Sequence, residues 1–187
     1  MLSELANKVS DSLVNIIEGA GDVVASARDT VKKTIIDTVK GTGEVATSSM
    51  SVIADVVSGG SAAASKSAKS TTDGVAGVVE GAIGAAKEIG ADTGGAIGEA
   101  AEGAIKGVSA VGGDLGEAGV GAVKGTIAAA SDVGTDVTVA TTKAVVGVIK
   151  AADEIGSEAG GTVRKALLST AALPREVILA AIGKTDK

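Results

Sequence analysis

Serine and lysine stand together at Ser65, Lys66, Ser67 and Lys69, the nearest approach in this chain to a nucleophile beside a base. A hydroxyl nucleophile needs a neighbour that takes its proton, and the 187 residues contain no His and no Cys. These serines also fall in a low-complexity Ser/Gly tract. The glycine-rich run through Gly121, Lys124, Gly125 and Thr126 lacks the spacing of a phosphate-binding loop. Acids recur, as at Asp92 and Asp114, but 22 residues of helix hold such a pair about 33 Å apart, too far to share a metal ion. The residues therefore predict no enzyme, no cofactor and no metal.

What they describe instead is an architecture. A 22-residue repeat runs in phase from Val14 to Leu167 in seven copies, starting at Val14, Ile36, Ser58, Glu80, Glu102, Lys124 and Val146. Its fourth position reads Ile17, Val39, Ser61, Ile83, Ile105, Ile127, Ile149, and its tenth Val23, Val45, Ser67, Ile89, Val111, Val133, Ile155. Apolar residues also recur between these, including Val31, Ile53, Ile97 and Val108. Spacings of three and four residues specify helix, and six turns in 22 residues give about 3.67 residues per turn, the eleven-residue period of right-handed supercoiling. The apolar positions share one stripe roughly 130° wide, which predicts an interaction face. Acids at position thirteen (Asp92, Asp114, Asp136, Glu158) and lysines at position five (Lys40, Lys106, Lys150) lie on the other side, as a solvated face or as lateral pairs between helices.

The expected fold class is all-α: amphipathic helices of eleven-residue periodicity, arranged as antiparallel hairpins or as an extended right-handed coiled coil. No aromatic core is possible, because the chain has no Phe, Trp or Tyr. Residues 1–57 read as an N-terminal repeat helix. Residues 58–73 read as a Ser/Gly-rich hinge or turn where Ser61 and Ser67 replace Ile or Val, and 74–172 continue the repeat. Pro174 then separates a short helix in 173–187, with Gly183 as its stop. Glycines number 28, and those at the stripe's edge, Gly90, Gly94, Gly98, Gly112, Gly116, Gly134 and Gly156, are expected to let neighbouring backbones approach closely. So many glycines and β-branched residues make each helix weak alone and in need of a template.

The formal charge of -6 argues against nucleic acid and against strong attraction to anionic lipid. No run of 18 apolar residues suggests a transmembrane helix, and the N-terminus reads as mature sequence, so a cytoplasmic protein, peripheral to a membrane or granule if bound to one, is expected. The segment GVVEGAIGAAKEIGADTGGAIG resembles the eleven-residue amphipathic repeats of synucleins and, more loosely, of apolipoproteins, perilipins and group 3 late-embryogenesis proteins. By analogy of physics alone the chain is also similar to granule-coating phasins. The resemblance implies helices ordered on an apolar surface. Two partners thus stand open for the stripe: a lipid membrane, droplet or storage granule that the chain would coat, and the protein itself, in a lipid-independent filament, tube or bundle. A soluble stress-protectant is a third reading.

Overall fold

Each copy of the repeat folds as one helix and one turn. The structure, a computed structural model, describes residues 3–42, 48–67 and 69–185. Among them it is all-helical, with α1(Glu4–Gly19), α2(Val23–Thr42), α3(Ser48–Lys66), α4(Thr71–Glu88), α5(Thr93–Ala110), α6(Leu115–Val133), α7(Val137–Ile155), α8(Ser157–Ser169) and α9(Arg175–Thr185). Helices α4 to α7 begin at residues 71, 93, 115 and 137, one 22-residue period apart.

Cap chemistry explains why the helix stops once per period. Gly90, Gly112 and Gly134 adopt φ of 72°, 70° and 76°, the left-handed conformation that ends a helix. Beyond each, the next N–H reaches back five residues: Ala91 to the Ala86 carbonyl, Gly113 to Val108 and Thr135 to Ala130, at 2.9 to 3.0 Å. The following helix opens on a side-chain cap. The Ser70 hydroxyl accepts from the Asp73 N–H, Asp92 from Gly94 and Gly95, Asp114 from Glu117, and Asp136 from Val139. Gly-x-Asp at repeat positions eleven to thirteen is thus a stop followed by a start. These glycines, expected at helix contacts, instead end helices, while these acids, expected on a solvated face, are exposed and also cap the helix that follows.

Turns this short reverse the chain, so successive helices run antiparallel. Each helix packs most extensively on the one two places along, α4 on α2 and α6, α3 on α1 and α5. The odd-numbered helices form one layer and the even-numbered the other, a solenoid built by addition at its end. Its interior is one apolar cluster of Ala, Val and Ile with a few Leu, running between the layers from α1 to α9.

The stretch 58–73, expected as a hinge or turn, is mostly helical, and the chain leaves helix only between Lys66 and Thr71. Residues 58–66 complete α3 and 71–73 open α4. Ser61 is fully buried, so the third copy keeps its helix with a smaller core residue while Leu13 of α1 packs nearby, within contact range of Gly60. The N-terminal 1–57 and C-terminal 74–172 regions are each divided into several helices. The Pro174 boundary holds, since α8 ends at Ser169 and α9 begins at Arg175, but Gly183 lies inside α9 and does not stop it.

A two-layer solenoid has a unit of two helices. Deleting 93–136 removes α5 and α6 with their turns and returns α7 to the odd layer. Deleting 93–114 alone moves α7 into the even layer and sets Lys143 where that layer carries glycine. We expect the longer deletion to keep a cooperative helical melt by circular dichroism, and the shorter one to lose about 2 kcal/mol or more.

Candidate functional site

The predicted interaction face is where contact occurs, and its partner is the chain's own neighbouring helices. Ile17, Val31, Val39, Ile53, Ile83, Ile97, Ile105, Val108 and Ile149 are all buried, at 2% exposure or less. Val23, Ile89, Ile127 and Val133 are partly buried and packed against the same cluster, and Val111 is partly buried. Ile155 alone among them is exposed, at 46%. Val45 lies outside the described residues.

Close approach is made by a different set of glycines. A methyl group built on Gly81 would overlap the Arg28 carbonyl, one on Gly125 the Ala76 carbonyl, and one on Gly107 the Ser58 carbonyl. Gly77 lies in the same way on Val24 and Gly59 on Ala6, while a methyl on Gly103 would sit 3.0 Å from the Ala54 carbonyl oxygen. In each case helix backbone rests on the backbone of the preceding helix in its layer. Of the glycines expected in this role, Gly116 faces the Ala166 methyl and Gly94 the tip of Lys143, whereas Gly90, Gly98, Gly112, Gly134 and Gly156 have open space where a side chain would be. Gly98 takes part from the other side, offering its carbonyl to Gly147. The expectation placed the seam at repeat position eleven; it lies at position two, Gly81, Gly103, Gly125 and Gly147. Position eleven was misplaced because it is where the helix ends.

The layers differ by one turn in how they are seated. In the even layer the second glycine stands four residues earlier (Gly77, Gly121), where the odd layer carries Asp55, Glu99 and Lys143. In α5 it stands four residues later, at Gly107. Over the even layer the polar side chains clasp neighbouring helices. Arg28 meets Glu80 at 3.2 Å, Lys32 meets Glu88 at 3.0 Å and Lys124 meets Asp73 at 3.4 Å. The Lys87 ammonium donates to the Val133 carbonyl at 2.9 Å, at the C-terminal end of α6. Asp29, and then Glu80, hold the Arg28 guanidinium's pKa above its ordinary value by hydrogen bonding. Lateral pairing of the charged side is therefore seen there. Lys106 instead pairs with Glu102 within α5, at 3.2 Å.

Two surface grooves remain. One of about 570 Å³ crosses the odd layer and is lined by Asp55, Ser58, Glu99, Glu102, Lys106 and Ile155 among others. Another of about 380 Å³ runs between α6 and α8, lined by Glu117, Val120, Thr162 and Lys165. Both are open, and their polar groups suit solvent or a protein surface better than an enclosed small molecule. Among the described residues no three acids gather as metal ligands would, and no helix is long and apolar enough to cross a membrane. No known protein family matches the chain, and no curated protein is similar enough in sequence to count as a relative.

Two predictions follow from the seam and its outermost ion pair. Gly81→Ala should destabilise by about 1 to 3 kcal/mol through overpacking, whereas Gly98→Ala, with open space around it, should stabilise by about 0.5 to 1 kcal/mol through helix propensity. Thermal melts distinguish the two. Arg164 joins α8 to α7 by two hydrogen bonds of 2.8 Å to Asp153, and these hold the Asp153 carboxyl below the usual range. A carboxylate whose pKa is lowered on folding stabilises above its unfolded value near 4 and loses that contribution as pH falls through the folded value. Asp153 is 40% exposed as a side chain, so screening limits the pair to about 0.2 to 1 kcal/mol. Asp153→Asn should lower the melting temperature at pH 7 by a degree or so, a difference that should close as the pH falls through the lowered folded-state value.

Proposed function

We propose that the chain is a non-catalytic structural protein, a helical scaffold that folds without a lipid template and offers its two layer surfaces to other molecules. One observation carries this reading: the isoleucines that an external surface would have to cover, Ile53, Ile83, Ile105 and Ile149 among them, are covered by the chain itself. Burial of an Ile stabilises by about 1.5 to 3 kcal/mol whether the cover is protein or lipid, so that energy does not choose between scaffold and coat. The glycine seam adds support for the scaffold. Spread on lipid, each mid-helix glycine would keep its propensity cost of about 1 kcal/mol and lose the backbone contact that offsets it.

The exposed large hydrophobics also fit a scaffold. Ile16, Val137, Val139, Ile155 and Leu179 are divided among α1, both ends of α7 and α9, and form no broad apolar face of the kind that binds bilayers. Circular dichroism and sedimentation of the purified chain in plain buffer, with and without vesicles or an oil emulsion, test the reading. Full helicity and a cooperative melt without lipid are expected, with little change when lipid is added. A coil that turns helical only with lipid would establish the coat instead.

A further inference from the structure

Helix α9 has a second face with nothing over it. Ile178 and Ala181 are buried and the helix packs on α7, while Glu176, Leu179, Ala180, Gly183 and Lys184 are exposed on its other side. Spacings of three, one, three and one place these five residues in a single stripe. Leu179 stands at its middle, 49% exposed, flanked by two small residues. Glu176, with Arg175 exposed beside it, stands at one end and Lys184 at the other.

We infer that this stripe is a two-fold interface, on which α9 of one copy packs antiparallel against α9 of a second copy. The charges select both occupant and direction. With the axis near Ala180, Glu176 lies opposite Lys184 of the partner subunit, and the same pair forms again across the axis. A parallel alignment would set Glu176 against its own copy and Lys184 likewise, which is repulsive. Leu179 then seats over Gly183 of the partner subunit, where the missing side chain leaves room for it. The pattern is complementary to itself, as an interface between identical surfaces requires.

Association by this route stops at two. The interface consumes its own surface, and the opposite end of the solenoid is closed. At the repeat positions where later helices carry the seam glycines, α1 carries Asn15 and α2 carries Lys33 and Asp37, all exposed. Side chains there hold off a further backbone. One short helix per subunit makes an interface at the small end of the specific range, so the dimer is weak, with a dissociation constant of about 10 to 500 μM.

The inference adds a defined geometry to the scaffold reading, and the two fail separately. Sedimentation equilibrium of the full chain from about 1 μM to 1 mM should show a monomer-dimer equilibrium. Leu179→Asp should weaken it by tenfold or more without altering the helical spectrum, as should Glu176→Lys and Lys184→Glu singly. The double exchange Glu176→Lys with Lys184→Glu should bring the dimer back to within about threefold of the original. A folded monomer throughout that range overturns the interface and leaves the scaffold intact. So does a dimer indifferent to Leu179→Asp, a double exchange that fails to restore pairing, growth beyond two, or vesicle binding that depends on Leu179.

Discussion

Backbone resting on backbone is the contact on which this molecule depends. Where Gly81 meets Arg28 and Gly125 meets Ala76, no atom of a side chain separates two helices of the same layer. Everything between the layers must then be small as well, because helices so closely spaced leave little depth beneath them. That accounts for a core of Ala, Val and Ile and for the absence of aromatic residues, which would force the layers apart. A composition poor for a conventional globular core is the one that this contact requires.

Glycine in mid-helix carries an opposing cost of about 1 kcal/mol, and α4 and α6 hold four glycines each. Backbone C–H groups facing carbonyl oxygens return about 0.5 to 1 kcal/mol apiece, and the dense packing around them adds dispersion on both flanks. Neither gain exists in a helix standing alone. Stability is accordingly a property of the stack, and each helix is ordered by its neighbours two places away. The caps serve the same end: the repeated stop at Gly90, Gly112 and Gly134 and the start at Asp92, Asp114 and Asp136 give α4 to α7 lengths of 18 or 19 residues, so that their seams fall into register without adjustment.

Much of this was legible in the sequence, and what was not has a physical reason. The helical period and the buried stripe follow from Ile83, Ile97, Ile105 and Ile149, whose spacing admits one face only. The occupant of that face does not follow, because an amphipathic stripe is equally satisfied by lipid, a second chain or the next repeat. The signal that decides it lay in the polar residues. Position thirteen carries Ser70 as well as Asp92, Asp114 and Asp136, and serine and aspartate share N-capping far more than they share a solvated helix face. With Gly two residues earlier, that position marks a boundary. Read as uninterrupted helix, the same acids look like surface charge and the same glycines like a packing seam. The third copy misleads for a related reason: Ser61 breaks the apolar pattern, yet it stays buried inside α3 with its hydroxyl unpartnered, a cost of about 1 to 3 kcal/mol that the packing around it has to offset.

The two layers, although built from one repeat, present different surfaces, and the cause is a one-turn offset in the seam. Seating α4 and α6 through Gly77 and Gly121 leaves Arg28, Lys32, Asp73 and Lys124 beside partners on adjacent helices. Exposed pairs of this kind contribute about 0 to 1 kcal/mol each, too little to hold the layer together. Their effect is on register, since sliding one helix by a turn would part every pair at once. The odd layer, seated one turn further along, leaves Asp55 and Glu99 beside the Glu102–Lys106 pair, around its open groove. One face of the solenoid thus has much of its charge engaged in holding alignment, and the other keeps acidic groups available.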